Sequence, residues 1–326
     1  MPYNRILGVS CLALLSLAGI GAHAANAPYP TKPIRFILGY SPGGASDAVA
    51  RLLVAPLTTR LGQQIVIDNR PGAGGNIAAE LAARAAPDGH TWLLGNNAIL
   101  ATNQALYAKM PFDALRDFAT VVLLATQPSV LVTHPALPVK TVQDFVALAR
   151  ARPGQLNYAS PGTGTAGHLA SELFKVLTHV RYQHIPYKGG GPAVIDLVSG
   201  QVHFMFATAA SVIPHTRTAR LRALAVTSLQ RSLSAPELPT VAESGIAGFE
   251  ALTWHGIVVP AATPARVIAR VNTELNAALA ASELRERLAA QGVEARGGKP
   301  DEFAIFLRAE IPKWTQVVRD SGATVE

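Results

Sequence analysis

Cysteine is all but missing from this 326-residue sequence; Cys11 is the one there is, and it falls in an apolar run near the N-terminus. A chain with no cysteine beyond that point cannot be held by internal disulfides and has to rely on a packed core. Charge is sparse as well. Charged residues make up 15% and apolar residues 49%, a balance that belongs to compact proteins and excludes a disordered chain. The formal net charge is +7, yet Lys and Arg never stand together in a block, so nucleic acid is not an expected partner. A mild positive field suits a small anion instead. Beyond the N-terminal run, no stretch is long and apolar enough to span a bilayer. Nor is there a Gly-x-Ser-x-Gly elbow, a His-Glu-x-x-His pair or a Gly-Lys-Ser/Thr phosphate loop. The nine histidines are scattered, and His179 and His184 have no cysteine or carboxylate beside them, so no metal is expected.

At the N-terminus Arg5 precedes an apolar run over 6–20, and Ala22-His23-Ala24 supplies a small-x-small cleavage site. This pattern reads as a secretory signal peptide over 1–24, with a mature chain starting near Ala25. The alternative is a membrane anchor, for which the run is short and lacks a stop-transfer flank. A lipoprotein reading of Cys11 fails because Gly8 stands where an aliphatic residue is needed.

The chain is organised around Tyr40-Ser41-Pro42-Gly43-Gly44-Ala45-Ser46-Asp47. An apolar segment over 34–38 reads as a strand before it, and Val49, Leu52 and Leu53 mark one face of a helix after it. Glycines let a ligand approach the backbone, and the first turn of a helix offers unpaired N–H groups to negative charge. The unit recurs. The segment 156–159 leads into Ser160-Pro161-Gly162-Thr163-Gly164-Thr165-Ala166-Gly167 and then into an apolar-periodic helix. Two anion nests of this kind suggest two lobes closing on one acidic ligand.

Between and after these nests the pattern alternates strand and helix. A helix is expected over 46–60, kinked or broken at Pro56. The glycine loop Asn69-Arg70-Pro71-Gly72-Ala73-Gly74-Gly75 opens a second helix, and a strand over 92–95 ends at Asn96-Asn97, completing a parallel βαβαβ run. Two short strands, 121–124 and 130–133, are expected near the crossover between lobes. Thr141 with Asp144 forms a capping box. Strands follow over 183–186, 204–206 and 221–227, and 254–259 reads as the return strand to the first lobe. Helices over 264–280, 282–291 and 300–320 close the chain.

Several motifs admit a second reading. Gly162-x-Gly164-x-x-Gly167 has the dinucleotide-binding spacing, but 181–191 holds no Asp or Glu to meet a ribose, and no cofactor is expected. Ser160 with His168 could act as a nucleophile and base, although no acid is placed to orient the histidine; a polar nest with a capping histidine is the simpler account. Tyr187-Lys188-Gly189 either closes over a ligand or leads into a helix, and Trp254 either walls a pocket or belongs to the core.

At these residues the chain resembles the periplasmic substrate-binding proteins of tripartite tricarboxylate transporters, the TctC or Bug family. The marks are the two nests, the loop 69–75, Pro87-Asp88-Gly89-His90-Thr91, His168-Leu169, Pro186-Tyr187-Lys188-Gly189 and Leu238-Pro239-Thr240-Val241-Ala242-Glu243-Ser244-Gly245. The resemblance runs over essentially the whole mature chain. It implies a two-lobed α/β Venus-flytrap fold with mainly parallel sheets, the lobes being 25–126 plus 253–326 and 127–252. It implies a monomeric, non-enzymatic receptor that holds a small carboxylate by loop amides, hydroxyls and bridging water. Its partner would be the membrane subunits of a transporter or, alternatively, a sensor kinase. The site it implies comprises Tyr40, Ser41, Gly43, Gly44, Ala45, Ser46, Asp47, Asn96, Ser160, Gly162, Thr163, Gly164, Thr165, His168, Tyr187 and Trp254, with Ala207 and Thr208 bordering the second carboxylate's end. Such sequences often carry Asp where His203 stands, and Asp or a small residue where Ala207 stands, so the lack of an acid at Ala207 argues against an amino acid as ligand. Asn103-Gln104 replaces the usual Asn-Pro, with only a local loop effect expected.

Overall fold

The structure, a computed structural model, describes residues 29–187, 189–232 and 235–322. The expected signal peptide over 1–24 with its cleavage site, Cys11 and Lys188 lie outside the described residues. In chain order the strands are β1 (Ile34–Leu38), β2 (Ile65–Asn69), β3 (Thr91–Asn96), β4 (Phe118–Thr133), β5 (Asn157–Ser160), β6 (Gln183–Pro186), β7 (Phe204–Thr208), β8 (Arg222–Val226), β9 (Leu252–Pro260) and β10 (Glu294–Ala295). The helices are α1 (Ala45–Leu61), α2 (Asn76–Ala83), α3 (Asn103–Leu106), α4 (Val142–Ala151), α5 (Ala166–Thr178), α6 (Gly190–Val198), α7 (Ala209–Arg217), α8 (Ala265–Leu279), α9 (Ser282–Ala289) and α10 (Pro300–Ser321).

The strands run in the order β2-β1-β3-β9-β4-β7-β5-β6, with β8 and β10 also on β4. β1 pairs parallel with β2 and β3, as the βαβαβ pattern predicts, and β5 pairs parallel with β6 and β7. β4 joins the two half-sheets: it runs antiparallel to β9 as far as Pro128, then from Ser129 antiparallel to β7. Here the structure corrects the expectation of two short strands. β4 is a single strand of 16 residues. The polar run Thr126-Gln127-Pro128-Ser129 reads as a loop, but it is where the strand changes partners. Pro128, which has no N–H to donate, is tolerated at that exchange.

Of the two outcomes expected at Pro56, a break does not occur: α1 runs through it as one helix from a Gly44 N-cap to a left-handed Gly62. A proline inside a helix costs about 3 kcal/mol. Burial of Val49, Leu52, Leu53, Leu57 and Leu61 against β1 and β9 offsets that cost. The alternation of β1 sends Ile34, Phe36 and Leu38 to this face and Ile37 to the other. Val130, Val132, Met205 and Leu197 form the corresponding layer of the second half-sheet. Between them a third cluster is shared by both halves, from Leu93 and Ile99 through Leu131, Phe174 and Phe206 to Trp254 and Trp314. The sheet ends that meet above this shared core carry the site.

Candidate functional site

α1 and α5 begin at the same cavity, of about 480 Å³. Gly44, Ala45 and Ser46 line it from the first, and Thr163, Gly164, Thr165 and Ala166 from the second. Gly44 is the N-cap of α1 and Thr165 that of α5, so two sets of helix-start amides share one space. Two larger concavities carry charged side chains of both signs: one of about 570 Å³ holds Lys299 and Arg308 with Asp301, and one of about 700 Å³ mixes Arg231, Arg285 and Arg296 with Glu250, Glu286 and Glu294.

Each nest is braced from behind. The Gly43 N–H donates to Asp47 Oδ2 at 2.9 Å, with Gly43 at φ +85°, a conformation that favours glycine. Arg51 Nε reaches Asp47 Oδ2 at 2.7 Å, and Asn69 Nδ2 reaches Asp47 Oδ1 at 3.2 Å and the Tyr40 carbonyl at 2.9 Å. The glycine loop thereby ties into the first nest. On the other side, Ser160 Oγ lies 2.6 Å from His184 Nε2, and the Gly164 N–H donates to His168 Nδ1 at 3.2 Å. Burial, with His184 and Lys175 nearby, pushes His168 down to about 3, so it is neutral at pH 7 and free to accept that bond. Thr165 Oγ1 donates to the Gly162 carbonyl at 2.7 Å.

Of the residues expected at the site, Tyr40, Gly44, Ala45, Ser46, Asn96, Thr163, Gly164 and Thr165 line the cavity. Ser41 is exposed and does not line the cavity, and Gly43, Asp47, Ser160, Gly162 and His168 form the bracing. Tyr187 meets the second nest through its backbone, its N–H donating to the Ser160 carbonyl at 3.0 Å, while its hydroxyl donates to Asp196. Three expected residues stand elsewhere. Thr208 shares a hydrogen bond with Ser211 at the start of α7. Ala207 is packed into the core of the second half-sheet, so it does not report on ligand amines. Trp254 is fully buried, its indole N–H held by Glu310 at 2.8 Å, and it does not line this cavity.

The cavity adds Gly74, Asn97, Ala98, Asn103, Leu106, Tyr107, Ala166, Thr253 and His255. Asn96 is occupied structurally: its Oδ1 accepts from the Ile99 N–H at 3.0 Å and its Nδ2 donates to Tyr40 Oη at 3.2 Å. The Asn97 side chain makes no hydrogen bond within the described residues and is the free amide of the pair. Asn103 donates to Asn76 Oδ1 at 2.7 Å and to the Gly74 carbonyl at 3.1 Å, so it shapes the cleft itself. Among the described residues that line the cavity there is no Lys, Arg, Asp or Glu. Negative charge there would be met by amides and hydroxyls alone, and a ligand ammonium would find no carboxylate.

Arg51 first, then the Gly43 and Asn69 bonds, hold the Asp47 carboxyl below its ordinary value. Its stabilising effect is therefore present above the unfolded carboxyl value, about 4, and is lost as pH falls through the lower native value. Asp47→Asn should lower the thermal midpoint at pH 7, and the gap to wild type should close on acidification. A gap that is constant with pH would remove Asp47 as the charged brace.

The profile described as the tripartite tricarboxylate transporter family receptor matches residues 49–323. Protein BugT of Bordetella pertussis is 38% identical over 327 residues, covering 100% of both chains. Among solved structures, R. palustris Rpa4515 with adipate is 36% identical with a TM-score of 0.76, covering 90% of this chain and 98% of that one. MatC from Rhodopseudomonas palustris with bound malate is 32% identical with a TM-score of 0.73, covering 89% and 100%. The two-lobed α/β architecture is thus that of periplasmic binding proteins, and the chain belongs to the tripartite tricarboxylate transporter family of receptors.

Proposed function

We propose that this chain is a periplasmic receptor that captures a small carboxylate lacking an amine and delivers it to the membrane subunits of a tripartite tricarboxylate-type transporter. The observation that carries this reading is the meeting of two helix N-termini in one cavity whose described lining has no charged side chain. The adipate and malate bound by related proteins support the ligand class. The N-terminal pattern over 1–24 supports export. The lobes proposed are 25–126 plus 253–326 and 127–252. Gln127 and Thr253 are paired residues of β4 and β9 at the exchange of partners, which suits a hinge. Small-angle scattering should show compaction on ligand addition; unchanged dimensions at saturation would remove the clamp.

A thermal-shift screen of mono- and dicarboxylates identifies the ligand, since a ligand at a hundred times its Kd stabilises by about 2.7 kcal/mol. Calorimetry on the acid so found and its neutral amide then tests the mechanism. The acid should bind at least about tenfold more tightly, because charge-assisted bonds are the stronger ones. The 2-amino counterpart of the acid should also bind more weakly. Equal affinities for acid and amide would mean that the nests do not read a carboxylate. Capture of transporter subunits by the liganded protein, rather than of a sensor kinase, decides the partner.

A further inference from the structure

His255 lies on β9 at the floor of the cavity, 2% exposed, and its Nε2 is 3.0 Å from Ser46 Oγ. Ser46 belongs to the first turn of α1 and is itself 9% exposed. The other ring nitrogen, Nδ1, is buried with no hydrogen-bond partner. Burial drives the imidazole down to about 4, so at pH 7 it carries a single ring proton. That proton has two possible sites. On Nδ1 it would be a buried donor with nothing to accept it, a condition rarer and costlier than an acceptor left unpaired. On Nε2 it is donated to Ser46 Oγ. The serine oxygen is then engaged as an acceptor, and its own proton is left to point into the cavity.

We propose that His255 is a positioning residue that, by donating from Nε2, makes Ser46 a hydroxyl donor to the ligand's carboxylate. The proposal rests on the carboxylate reading of the same site and deepens it. A serine at a helix start is ambivalent: its hydroxyl can turn either lone pairs or a proton to a neighbour. Lone pairs aimed at an anion would repel it. With the histidine behind it, the serine meets the ligand as a donor beside the amides of Ala45 and Ser46. The arrangement also disfavours a ligand group that can only donate at this point, such as an ammonium.

The test begins with ring ¹⁵N–¹H correlation spectra of the full mature chain without ligand. The expected result is a pyrrole-type Nε2 and a pyridine-type Nδ1 for His255; the reverse tautomer overturns the proposal. The second measurement is calorimetry with adipate as probe. Ser46→Ala and His255→Leu should each weaken binding by about tenfold, and the double variant should be no weaker than either single one, because both remove the same donor. His255→Gln, whose amide can donate from a similar position, should keep most of the affinity. Additive losses in the double variant, or full affinity in His255→Leu, would overturn the relay. If the wild type binds neither adipate nor any acid in the thermal-shift screen, the receptor reading fails, whereas the spectra still decide the tautomer by themselves.

Discussion

Gly44→Val is expected to reduce carboxylate affinity by more than about a hundredfold, equivalent to about 2.7 kcal/mol or more, while leaving the ligand-free unfolding midpoint close to wild type. Gly44 has φ −80° and ψ 173°, an extended conformation that valine adopts readily. A Cβ built there meets only the Ser41 carbonyl, at 3.7 Å, so the protein itself has room for it. The space it would occupy borders the cavity. A branched side chain at the N-cap would stand between the ligand and the amides of Ala45 and Ser46, separating an anion from the donors that compensate its charge. Gly167 is the contrasting position. A Cβ there would lie 2.5 Å from the Phe206 carbonyl oxygen, so Gly167→Val should damage folding as well as binding. Calorimetry and thermal unfolding on both variants separate the two effects. Gly44→Val binding within tenfold of wild type would mean that the first nest does not hold the ligand.

The nests were legible in the sequence because their signal is local. A strand, a glycine turn and a helix start lie within a dozen or so residues, and each follows from backbone chemistry. The capping box at Thr141 was legible for the same reason. What could not be read was long-range. His255 and Thr253 reach the cavity through the pairing of β9 with β3 and β4, which sets Asn96 opposite His255. No periodicity in a run such as Leu252–Pro260 says which residue faces a cleft, because the strand is buried almost throughout. Asn96 and Asn97 are adjacent and chemically identical, and only the bonds from Ile99 and to Tyr40 show which one is already engaged. Trp254 was ambiguous in the sequence because an aromatic residue next to a hinge suits a pocket wall and a core equally well; Glu310, 56 residues further on, decides it. The unbroken β4 is not legible because a polar tetrapeptide inside an apolar run marks either a loop or a change of partner, and the difference lies in β9 and β7.

Glu310→Ala is expected to cost about 3–5 kcal/mol of folding stability, the range for removing one member of a buried charged network. Glu310 is 5% exposed on α10. Its Oε2 accepts the indole N–H of Trp254 at 2.8 Å and that of Trp314 at 2.7 Å, and its Oε1 meets Lys313 Nζ at 2.9 Å. Alanine leaves two buried indole donors without an acceptor and opens space beside Trp254, Phe303 and Phe306, whose rings meet edge to face. The penalty is therefore unpaired donors added to lost packing. Glu310→Gln keeps one carbonyl oxygen for the indoles but turns an amide towards Lys313, so it should recover roughly half of the loss. Urea unfolding of the ligand-free chain should show the midpoint falling in the order wild type, Gln, Ala with unchanged slope. Alanine within about 1 kcal/mol of wild type would show that the indoles find other partners. The same variant should also weaken binding, because Trp254 sits between Thr253 and His255 on β9, and both neighbours line the cavity. Glu310 makes no contact with that space itself. A loss of affinity in Glu310→Ala, measured well below its unfolding midpoint, would therefore show that α10 holds the cleft's central strand in register.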